Sequence, residues 1–255
     1  MLKLIKYEFR KNFTPLLIFF GLLIILEIFF LYGYITEDDG TLILAISGLV
    51  LSSAIAYFVI LAIGIFSYSR ELKNKTIYLI FMTPNSTIKI ILSKLIHVAL
   101  TAIITGAIFA TLGIYDLKLY IDFLGDTTIS VTDIIDILLA SFNTNISQVI
   151  FSVIGFIIVV LVVLLTYVVM GYLSITLSQT LLSNSNAKGF LSAVFFIILF
   201  VINTIIVNHL PILKEYPKTI MEYVYARLPQ TIFELILMII MIIGTAQLLD
   251  KKISL

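Results

Sequence analysis

The sequence predicts an all-α integral membrane protein with six transmembrane helices, on three observations. Hydrophobic residues make up 61% of the 255 positions and Asp, Glu, Lys and Arg only 12%, against roughly 45–50% and about 25% in soluble chains. Mean hydropathy reaches +1.16, more apolar surface than a soluble globule of this size can bury. The apolar residues also fall into six runs long enough to cross a hydrocarbon layer about 30 Å thick, which takes roughly 20 residues of helix. Cysteine is absent, which removes disulfides, thiolate metal ligands and cysteine nucleophiles together. Tryptophan is absent too, so interfacial aromatics must come from the 13 Tyr and 19 Phe.

Met1 to Phe13 reads as a short amphipathic helix. Leu2, Ile5, Phe9 and Phe13 share one face, and Lys3, Lys6, Arg10 and Lys11 surround the others. That pattern suits a helix lying in the interface with its basic side toward anionic headgroups of membrane lipid. The first span follows at about 15–35 and is interrupted by Glu27. The second, about 42–68, contains Ser52 and Ser53, and the third, about 90–114, opens near Lys94 and His97. A fourth, about 149–178, exceeds the bilayer and is expected to tilt. The fifth covers about 190–207 and the sixth about 231–249. Gly106 and Gly113 in the third span, with Gly155 and Gly171 in the fourth, are expected to allow close helix contacts. One membrane domain, 1–255, accounts for the chain.

Three connections are more than turns. Ser69–Lys89 has a charged, helix-compatible start, then the apolar stretch Ile77–Met82, then a stop at Thr83-Pro84. That middle is too short to span and too apolar for a solvated loop, so headgroups or another protein must cover it. The acidic stretch Tyr115–Ser147 contains an amphipathic segment, 131–142, and lacks calcium-loop spacing. Before the last span, Pro211, Pro217 and Pro229 flank the short amphipathic segment TIMEYVYAR. It reads as a separate helix in a broken segment closing one end of the bundle.

Orientation follows from charge. With the N-terminus in the cytoplasm, Lys3, Lys6, Arg10, Lys11, Arg70, Lys73, Lys75, Lys89, Lys94, Lys188, Lys251 and Lys252 are inside, and Lys118, Lys214, Lys218 and Arg227 outside. Twelve against four places both termini in the cytoplasm.

The chemistry of an enzyme is missing. No G-x-x-x-x-G-K-S/T, H-E-x-x-H or G-x-S-x-G occurs, so no catalytic residue, metal site or resident cofactor is expected, nor a nucleic-acid partner. Glu27 is the one carboxylate well inside a span. An ionised carboxylate in lipid costs at least about 2.5–3.5 kcal/mol, so Glu27 must face protein or water, or be protonated. It is the candidate contact on a cargo path. His97, near a helix end, reads as a partly hydrated imidazole, and Asn203 as an interhelical hydrogen-bonding residue.

The loop after the second span carries a resemblance. Glu71, Thr76, Leu79, Pro84 and Lys94 stand as in permeases of the ABC-2 type, whose pattern is roughly E-x-x-x-G-T, an apolar stretch, Pro and a later Lys. Lys75 departs from it at the usual glycine. The chain ends LIKYEFRK and LLDKKISL also look like that family. The resemblance implies the membrane subunit of an ABC exporter in the bacterial plasma membrane. It would work with a second permease chain, identical or related, and with separate ATP-binding subunits that hold the ATP and Mg. The loop would be the family's coupling helix, formed by Arg70, Glu71, Lys73, Lys75, Thr76 and Pro84 with apolar anchors Tyr78, Leu79, Phe81 and Met82. The N-terminal helix would be the elbow, with Glu8 and Arg10 as a second contact to the ATPase. The sparsely charged spans favour a hydrophobic or amphipathic cargo, such as an amphipathic or antimicrobial peptide or a drug-like molecule. Two alternatives stand beside this: an ion-coupled secondary transporter, which calls for several intramembrane carboxylates, and a membrane immunity or scaffold protein, which has no use for an apolar cytoplasmic loop.

Overall fold

The computed structural model describes residues 1–73, 86–123, 146–181, 188–214 and 219–253. Among these, seven helices and no strand are found: α1 (Leu2–Lys11), α2 (Phe13–Ile35), α3 (Asp39–Lys73), α4 (Thr87–Phe123), α5 (Ile146–Leu181), α6 (Lys188–His209) and α7 (Ile220–Ile253). The last six are each long and apolar enough to cross a membrane. The six spans of the sequence are therefore present, in order. Lys75, Thr76, Tyr78, Leu79, Phe81, Met82 and Pro84 lie outside the described residues, as does segment 131–142.

Most spans outrun their apolar cores, because a helix satisfies its own backbone polar groups and continues wherever its flanks can be covered. The extension of α4 to Phe123 shows how. Leu119 and Phe123 pack on the buried cluster Phe30, Leu42 and Ala45, so the start of the acidic stretch is helix and not loop. In α7 the difference is larger. TIMEYVYAR is continuous with the sixth span, and Pro229 sits inside the helix. A proline there removes one intrahelical donor and crowds the preceding turn. The helix nevertheless runs through Pro229, and the next two side chains are bonded: Thr231 donates to the Arg227 carbonyl at 2.9 Å and Gln230 to the Val207 carbonyl at 3.1 Å. The expected separate helix ending at Pro229 is thus corrected to one helix of 34 residues.

The helices form two compact units. One comprises 1–9, 61–99 and 150–255, and the other 10–60 and 100–149. In the first, small residues let α3 and α5 approach. A Cβ on Gly171 would stand 2.6 Å from the Ile65 side chain, and one on Gly64 2.9 Å from Val98, too close for any larger residue without repacking. Tyr68 stacks on Tyr172 with ring centroids 4.3 Å apart, and its hydroxyl shares a hydrogen bond with Thr176 at 2.6 Å. Gly155 lies against Val224. Gly106 and Gly113, by contrast, face open space, so the expected close contact fails for that pair.

The second unit is built on the α2–α3 hairpin. The Thr36 N–H closes the last helical bond, to the Tyr32 carbonyl at 3.0 Å, and the Asp38 N–H reaches back five residues to the Gly33 carbonyl at 3.1 Å, the bond that ends a helix when the residue between them is left-handed. That residue is Glu37, at φ 52°. Gly33 is required here, since a Cβ would meet the Leu42 backbone nitrogen at 2.9 Å and the Thr41 hydroxyl at 2.6 Å.

Candidate functional site

Two groups of charged side chains stand out, one in each unit. In the first, α1 presents Glu8, the one buried residue of that helix, while Leu2 is 83% exposed. The face that α1 turns to the protein is therefore centred on an acid, with Ile5 and Phe9 of the apolar row half-buried. Glu8 accepts from Ser67 at 3.2 Å and pairs with Lys94. The same ammonium lies 2.6 Å from Glu71. All three charged residues are buried, at 2–4% exposure.

One lysine thus joins α1, the end of α3 and the start of α4. Burying an ammonium this fully is tolerable only when its charge and donors are matched, and here two carboxylates supply the match, one of them also held by the Ser67 hydroxyl. His97, one turn along α4 from Lys94, is also buried, with its ring edge-on to Phe9 at 4.5 Å. The expected partly hydrated imidazole is corrected accordingly, because α1 covers it. Asp250 near the end of α7 accepts from the Thr87 hydroxyl at the start of α4.

The residues singled out from sequence separate here. Glu8 and Glu71 come together on Lys94. Arg10 and Arg70 are exposed, and Lys73 ends α3.

In the second unit, the side chain of Glu27 on α2 is hydrogen-bonded to that of Asp116 on α4. Glu27 Oε2 and Asp116 Oδ1 are buried and make no hydrogen bond among the described residues. Asp116 also lines a cleft of about 830 Å³ between α3 and α4. From sequence, Asp116 belongs to the acidic stretch Tyr115–Ser147 that follows the third span, and Glu27 reads as a lone carboxylate. The missing signal was the length of α4, which carries Asp116 on the helical face of Phe109 and Gly113.

Glu27 is not the sole carboxylate deep in a span either. Because α7 begins at Ile220, Glu234 lies 14 residues inside it and is buried. Asn203 is the buried residue of α6, but its Oδ1 finds no partner among the described residues, so the expected hydrogen bond across helices is not made by that atom.

No family model matches the chain, and no curated protein or solved structure does either.

Proposed function

We propose that this chain is the membrane subunit of an ATP-driven exporter of the ABC-2 type, in the bacterial plasma membrane, with both termini cytoplasmic. The observation that supports it most is the Glu8–Lys94–Glu71 cluster. Glu71 and Lys94 are the two described residues at which the sequence resembles that family, and they flank segment 74–85 from either side. Both are tied to Glu8 on α1, the residue expected on the elbow helix. A force applied to the loop therefore reaches α1, α3 and α4 through one buried lysine, as a coupling element requires. ATP and Mg belong to a separate ATP-binding subunit, and a second permease chain, identical or related, completes the transporter. The cargo is hydrophobic or amphipathic, with a peptide or drug-like molecule the leading class.

The test is association. The chain is co-expressed with an ABC-type ATP-binding subunit, the one encoded beside it if one exists, and purified. The wild type should retain the ATPase, and Leu79→Glu with Met82→Glu should release it. Retention by the double variant removes the loop as the docking element.

A second reading has an observation of its own. An ion-coupled carrier needs intramembrane carboxylates, and Glu27, Asp116 and Glu234 all stand in candidate spans. If no ATPase associates with the wild type and a proton gradient alone drives uptake or efflux in vesicles, this reading replaces the first.

A further inference from the structure

The cleft of the second unit has one chemical character along its walls and another at a single point. Phe109, Leu112 and Leu117 on α4 face Ile43, Ile46 and Val50 on α3. On α3 the row repeats at three- and four-residue steps, and on α4 Phe109, Gly113 and Leu117 stand at four-residue steps, so each is one stripe of its helix. The serines in the wall are already committed: Ser47 donates to the Leu44 carbonyl at 2.8 Å and Ser53 to the Val50 carbonyl at 2.7 Å. Among the described residues Asp116 is the one carboxylate in the lining, and its buried Oδ1 makes no hydrogen bond there. Size and balance, about 830 Å³ with apolar walls and a convergent polar group, match those of small-molecule sites.

The charges around the cleft have one sign. Glu37, Asp38, Asp39 and Asp122 occupy the same ends of α2, α3 and α4 as Asp116, against Lys118 alone. A cleft edged this way attracts cations and repels anions. A carboxylate at one point of an otherwise apolar groove is matched best by a ligand that brings both a positive charge and an apolar body.

We propose that this cleft is a binding site for an amphipathic organic cation, whose apolar part lies between α3 and α4 and whose charged group is met by Asp116. Glu27 is a positioning residue: it holds the Asp116 carboxyl from α2 and does not line the cleft. The site names a cargo class only if the chain is a transporter, and to that extent rests on the reading above.

The probe is tetraphenylphosphonium, with tetraphenylborate as the anion of the same shape. The purified full-length chain is placed in nanodiscs of phosphatidylcholine and binding is measured by equilibrium dialysis against empty discs. The wild type should bind the cation saturably, and tetraphenylborate should not compete. Asp116→Asn should weaken binding at least tenfold. A Cβ on Gly113, which lines the cleft, would meet nothing within 4 Å, so Gly113→Phe should place its ring in the groove and abolish binding. Gly106→Phe is the control, since Gly106 also faces open space but lies outside the lining; it should bind as wild type. Because both phenylalanine variants improve helix propensity, loss in one alone reports on the cleft and not on folding. Equal binding of the borate, binding unchanged in Asp116→Asn or Gly113→Phe, or mere partitioning as into empty discs would overturn the site. The measurement needs neither ATP nor a partner. A co-purifying ATPase without cation binding sinks the cleft and spares the exporter, and the reverse pair of results does the opposite.

Discussion

Lys94 carries a positive charge into a site from which water is almost excluded, and its surroundings decide what its loss would do. With Glu8 and Glu71 both against it, the ammonium separates two carboxylates that would otherwise face each other. Lys94→Met should therefore destabilise the chain by about 3–5 kcal/mol, the usual penalty for stranding buried charge. Glu71→Gln should cost much less, because Glu8 still balances the lysine. The triple variant Lys94→Met, Glu8→Gln, Glu71→Gln should recover most of the loss, since it removes charge in place of orphaning it. Thermal unfolding of the four proteins in one detergent measures this non-additivity. Additive losses would mean that the three residues do not act as a cluster. The same series reports on coupling: if the exporter reading holds, Glu71→Gln should keep ATPase association but lower cargo-stimulated turnover, as the loop remains while its tether weakens.

At the scale of elements, Glu37 in the α2–α3 turn is the residue whose backbone sits against its chemistry. A left-handed conformation costs a residue with a Cβ roughly 1–2 kcal/mol, and glycine is the residue that adopts it freely. Glu37→Gly should therefore raise the unfolding midpoint, with a gain of about 1 kcal/mol after the added freedom of the unfolded chain is deducted. An unchanged or lower midpoint would show that the Glu37 side chain contributes more than its conformation costs. This turn was invisible in the sequence, because Glu37 gives no local signal for positive φ. The spans were legible, since apolar runs report directly on what lipid requires. Their ends were not: Leu119 and Phe123 extend α4 through contacts distant in sequence, and Pro229 read as a terminator where α7 runs on through it. The same reach explains the partial view of the sites. The residues Glu8, Glu71, Lys94 and Glu27 could be picked out by type and position. Their assembly on one lysine, and the meeting of Glu27 with Asp116, depend on which helices pack together, and no spacing along the chain encodes that.

For the whole molecule, parity and charge make a joint prediction. Six spans put the two termini on one side, and twelve of sixteen basic residues then put that side in the cytoplasm. The absence of native cysteine makes single-cysteine labelling clean. Lys3→Cys and Lys251→Cys report on the terminal segments, Asp39→Cys on the α2–α3 turn and Lys214→Cys on the α6–α7 connection, and all four positions are exposed. In intact cells a membrane-impermeant maleimide should label positions 39 and 214, and leave 3 and 251 unlabelled until the membrane is permeabilised. The four results test two arguments separately. If positions 3 and 251 behave differently from each other, the number of crossings is odd and one of the six helices does not span. If they agree but label from outside, six spans stand and the charge rule has failed. In that case segment 74–85 faces away from the cytoplasm, no ATP-binding subunit could reach it, and the carboxylates of Glu27, Asp116 and Glu234 would have to carry the energy coupling instead.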